Sequence, residues 1–97
     1  MIFYFLQMTE LSPRSPLYNY PLPAIEDWLR QMGCEQNSQP LNCWYIQKSD
    51  WKAQIILDTE DLNVNYLGAG ADGSDIKRSF RYSLSRQDIE DAVFSGP

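Results

Sequence analysis

Residues 51–67 read WKAQIILDTEDLNVNYL, and apolar and polar residues alternate through both halves. Trp51, Ala53, Ile55 and Leu57 stand opposite Lys52, Gln54 and Asp58. After residues 58–61, Leu62, Val64 and Tyr66 stand opposite Asn63 and Asn65. Successive side chains of a strand point to opposite sides, so this period predicts two strands with one buried and one wet face. The acidic segment between them supplies a turn, which makes the pair antiparallel.

The flanking segments extend the sheet. LNCWYIQ, residues 41–47, is apolar on both faces; its register is open, but its aromatics favour a strand. Residues 48–50 turn it into the next strand. Beyond residue 75, Ile76, Phe80, Tyr82 and Leu84 alternate with Lys77, Ser79, Arg81 and Ser83, with Arg78 the exception on the apolar side. A helix precedes the sheet: in LPAIEDWLRQMG, Ile25, Trp28, Leu29 and Met32 fall on one helical face. Pro23 suits its first turn, Glu26 and Asp27 its positive end, and Gly33 its stop. Ser85 reads as the N-cap of a second helix, with Asp88 three positions on and Ile89, Ala92 and Val93 as its stripe. Residues 34–40 read as a loop. The predicted fold is α+β: an antiparallel four-stranded meander with an N-terminal and a C-terminal helix packed on one face, in the order α-β-β-β-β-α.

The 97 residues fit one small domain, and three Trp, six Tyr and four Phe provide its core. We place that domain at residues 16–97. Residues 1–15 are expected to be a disordered or mis-started arm, because MIFYFLQ lacks signal-peptide features and is too short to span a bilayer. Met8 then opens a polar stretch and is the expected start of translation. In the segment LYNYPLP, Tyr18 and Tyr20 are expected to fold back as a strap over the first helix.

Composition excludes several functions. The chain has no His, which removes the commonest general base and metal ligand. Cys34 and Cys43 form no CxxC pair and are read as buried thiols of an intracellular protein, with a disulfide between them as the alternative. GAGADG, residues 68–73, matches a dinucleotide fingerprint but leads into a strand instead of the helix that would receive a pyrophosphate. The acids at 58–61 and 72–75 lack calcium-loop spacing and read as turn residues. No cofactor, metal or catalytic residue is assigned, and an enzyme is not expected.

One anomaly remains. The net charge is -5, yet four of the eight basic residues (Lys77, Arg78, Arg81 and Arg86) fall within residues 76–86, without an acid among them. Lys77, Ser79, Arg81 and Ser83, with Arg86 beyond, are the candidate partner-binding residues. Complementary charge would steer an acidic protein partner to them. KRSFRY also has the mixture of aromatic and basic residues found in single-stranded RNA binders, but strand parity sends Phe80 and Tyr82 away from Lys77 and Arg81. The acidic balance opposes nucleic acid further.

Several segments carry a resemblance: PLYNYPLPAIEDWL, LNCWYI, WKAQIILD, YLGAG and RSFRYSLSRQDIEDAVFSGP. Together they resemble a family of short cyanobacterial and plastid-related proteins catalogued as domain of unknown function 3143, over about residues 16–97. The resemblance implies a cyanobacterial, intracellular setting and no assigned activity or cofactor. MIFYFLQ lies outside that pattern, and Tyr20 stands where His is often expected. The expected function is a non-enzymatic protein-interaction or assembly module. A weak RNA- or ribosome-associated binder is the alternative, and a small ligand binder or enzyme comes third.

Overall fold

The computed structural model describes residues 12–97. The expected start at Met8, and the part of the N-terminal arm up to residue 11, lie outside the described residues. A 3-10 turn, Leu17–Asn19, leads into helix α1, Leu22–Gln31. Five strands follow, β1 (Glu35–Gln36), β2 (Cys43–Gln47), β3 (Lys52–Leu57), β4 (Asp61–Tyr66) and β5 (Ile76–Arg81), and helix α2, Arg86–Val93, closes the order. The strands form one antiparallel sheet in sequence order.

The alternation works as the residues foretell. Ala53, Ile55 and Leu57 pair with Tyr66, Val64 and Leu62 on the core side. The ambiguous strand β2 takes its register from β3: Trp44 faces Ile55 and Ile46 faces Ala53, which leaves Cys43 and Tyr45 on the other side. Ile25, Trp28 and Leu29 of α1 join Ile89 and Val93 of α2 and the core side of the sheet in one buried cluster. The Tyr66 hydroxyl donates to the carbonyl of Val93 at 2.7 Å, and Trp28 Nε1 donates to Glu90 Oε1 at 2.9 Å. Gly33 stops α1 with φ +94°, a conformation open to glycine without a Cβ clash.

Three expectations need correction. The sheet has five strands, not four: Glu35 and Gln36, read as loop, pair with Tyr45 and Trp44. Two polar residues carry no periodicity, so only pairing with β2 reveals this strand. The last strand ends at Arg81, short of Leu84. The amides of Leu17 and Tyr18 instead bond the carbonyls of Leu84 and Tyr82, and the Leu84 amide turns back to the Arg81 carbonyl. Glu26 and Asp27 lie beyond the first turn of α1; Asp27 pairs with Arg30 at 3.2 Å and Glu26 accepts from Gln36.

The segment before α1 is held by backbone. The carbonyls of Pro13 and Ser15 accept from the amides of Gln87 and Arg86, which are otherwise unsatisfied at the start of α2. Its anchor is Leu17, fully buried, while Tyr18 is 65% exposed and Tyr20 packs partly against the core.

Candidate functional site

The sheet face turned away from the core is built by register. Tyr45, Gln54, Asn65 and Lys77 form one cross-strand row, and Cys43, Ile56, Asn63 and Ser79 form the next. Asp61 and Arg81 begin a third. Side chains opposite one another in an antiparallel pair lie close enough to interact, so each row is a potential contact line.

The predicted residues separate into two groups. Lys77, Ser79 and Arg81 share this face on β5, and all three are exposed. Neither Lys77 nor Arg81 forms an ion pair among the described residues. Ser83 is not on the strand; it sits exposed in the turn that follows. Arg86 is half-buried at the start of α2, where Nη1 lies 3.4 Å from Glu90 Oε1. That pairing, and the shared hydrogen bond from Trp28, give Arg86 a place in the interior architecture. Arg78 falls on the core-side parity, as read from the alternation, yet its side chain escapes: it is exposed, with its guanidinium 5.7 Å from the Tyr66 ring centroid.

Between these rows lies a depression of about 300 Å³ lined by Ile56, Asp58, Asn63, Asn65, Lys77 and Ser79 among others. Its polar groups are partly spoken for. Ser79 Oγ donates to Asn63 Oδ1, and Asn63 Nδ2 donates to Asp58 Oδ2. Asn65 Nδ2 donates to Asp75 at 3.2 Å, while Asn65 Oδ1 is buried without a partner among the described residues. Ser79 therefore serves the sheet first, and Lys77 and Arg81 carry the uncommitted charge.

The aromatics of KRSFRY lie elsewhere. Phe80 pairs with Leu62 on the core side, and the Tyr82 hydroxyl donates to the Asp58 carbonyl at 2.7 Å. Burial, then the carboxylates of Asp58 and Asp61, push the Tyr82 phenol up to about 12. The acidic turns are organised by their own carboxylates: Asp72 Oδ1 accepts from the amide and hydroxyl of Ser74, which lowers its pKa, and Asp75 Oδ1 accepts from Gly68. No group of three or more potential metal ligands occurs among the described residues. Cys34 and Cys43 are free, buried thiols.

The sequence reading missed the outer edge of β5. The signal was available: in a meander of consecutive hairpins, the last strand is an edge strand by order alone.

A family model described as "Protein of unknown function (DUF3143)" matches residues 32–96. The match takes in all five strands and α2, and leaves α1 outside except for its C-terminal flank. No curated protein and no solved structure matches the chain. No helix among the described residues is long and apolar enough to cross a membrane.

Proposed function

The chain belongs to this family of unknown function, and from that premise we propose that it is a non-enzymatic protein-interaction or assembly module of the cytoplasm. In this reading α1 and α2 close one face of the sheet, and the opposite face of β4 and β5 docks an acidic protein. One observation carries it. In a chain with thirteen acids and eight bases, Lys77 and Arg81 stand exposed on one strand face without an ion pair among the described residues. Asp61 stands opposite Arg81 without closing to an ion pair, so carboxylates brought by a partner would offset the cost of desolvating both cations. Phe80 and Tyr82 lie away from the cations, which counts against a face on which bases stack.

The test is a double variant, Lys77→Glu with Arg81→Glu. Both side chains are exposed, so far-ultraviolet circular dichroism should match the parent, with a slightly lower melting temperature because Arg81→Glu sets a carboxylate opposite Asp61. Proteins captured from the native host by the parent should be lost from the variant. An unchanged set of captured proteins would remove this face as the docking site.

A further inference from the structure

The hydrogen-bond phase of the β3–β4 hairpin determines where the backbone of β5 points. The Leu67 amide bonds the Lys52 carbonyl and the Asp58 amide bonds the Asp61 carbonyl, so both of these are hydrogen-bonded pairs. Antiparallel ladders alternate such pairs with unbonded ones, which places Gln54–Asn65 and Ile56–Asn63 in the same phase. The backbone groups of Leu62, Val64 and Tyr66 then point the other way, to Phe80, Arg78 and Ile76 of β5. The amides and carbonyls of Lys77 and Ser79, and the amide of Arg81, are left on the outer side. None of them has a hydrogen-bond partner among the described residues. The Arg81 carbonyl accepts from Leu84, and residues 16–18 occupy the edge from Tyr82 onward, so the open slot is bounded at Arg81.

From this geometry we infer that β5 accepts an extended acidic segment of a partner as a sixth, antiparallel strand. The inference rests on the proposed docking role of Lys77 and Arg81 and adds how the partner is held. Exposed strand edges recruit chains by main-chain bonds, with alternate side chains setting specificity. Residues opposite Lys77 and Arg81 would share the cationic face and should be acidic, and the one opposite Ser79 should be small and polar. On the other side, the residue opposite the exposed Arg78 should also be acidic, and the one opposite the half-buried Phe80 apolar. Written from its N-terminus, the matching segment is Glu-Val-Thr-Glu-Glu. A second copy of this chain fits less well: pairing two β5 strands about Ser79 sets Lys77 against Arg81 of the other copy, and like charges directly opposite are destabilising.

The probe is acetyl-Gly-Glu-Val-Thr-Glu-Glu-Gly-amide, titrated into the isotope-labelled full chain by NMR. Binding should move the amide resonances of Lys77, Ser79 and Arg81 and slow their exchange with water. N-methylation of the peptide Thr, whose N–H faces β5, should weaken binding roughly tenfold, as expected for loss of a main-chain bond. N-methylation of the Val, whose N–H faces outward, should leave affinity unchanged. Lys77→Glu with Arg81→Glu should abolish binding. If both methylated peptides bind like the parent while the double variant does not, strand addition is wrong and the docking face stands. If the double variant binds as tightly as the parent, the docking face falls too. Absence of peptide binding, tighter binding of a single-stranded oligouridine at the same amides, or self-association through β5 would each overturn the inference.

Discussion

Tyr66 shows how much one side chain can decide. It is fully buried on β4, its ring meets Trp51 edge-on at 5.6 Å, and its hydroxyl binds the end of α2 through Val93. Burial raises the pKa of this phenol. Tyr66→Phe keeps the ring and leaves the Val93 carbonyl only the longer bond from the Gly96 amide, at 3.3 Å, so it should cost about 1 kcal/mol in chemical denaturation. Cys34 offers a different test. Burial, opposed weakly by Lys48, pushes its thiol from 9.0 up to about 12. A raised folded-state pKa means that the associated stability is complete below about pH 9 and lost as pH rises toward 12. Tyr82 acts in the same direction from its ordinary value of 10.0. Thermal melts between those limits should therefore fall with pH, and Cys34→Ala should flatten the fall while lowering the whole curve. The native thiol should also resist alkylating reagents, because the thiolate is the nucleophile.

Elements are held at their ends as much as by their stripes. Ser85 Oγ accepts from the Asp88 amide at 3.0 Å, the cap that the sequence signals. Ser85→Ala should cost about 1 kcal/mol, read as a lower denaturation midpoint at unchanged slope. Past α2, Gly96 has φ +93° and is buried against Trp51, where a Cβ would come within 2.9 Å of Nε1. Gly96→Ala meets both a strained backbone and an aromatic ring, and should destabilise by about 1–3 kcal/mol. Local pattern was enough to find α1, β3, β4 and the cap of α2. It was not enough for β1, whose two residues show no period, or for the end of β5. The apolar alternation continues through Tyr82 and Leu84, but Leu84 is 40% exposed because residues 16–18, distant in sequence, take the backbone groups there.

At the scale of the whole molecule, the two helices and the sheet share one core, and the Trp28–Glu90 bond ties α1 to α2 across the chain. Unfolding should therefore be a single transition, with tryptophan fluorescence and far-ultraviolet circular dichroism giving the same midpoint; separated midpoints would mean that the helices dissociate first. The candidate site was half legible. Lys77, Ser79 and Arg81 were found by alternation, since parity is a local property of an extended chain. Ser83 and Arg86 read as part of the same face because the alternation does not show that the strand ends at Arg81; beyond it Ser83 lies in a turn and Arg86 pairs with Glu90 one helical turn on. The sequence by itself determined the strand faces, the stripe of α1, the cap of α2 and the cationic side of β5. Each follows from the fixed geometry of the backbone acting over a few residues. Only the tertiary structure decided the register of β2, the addition of β1, the end of β5 at Arg81 and the open edge beside Lys77 and Ser79. Those depend on which distant segments arrive to pair, and on where none of the described segments does.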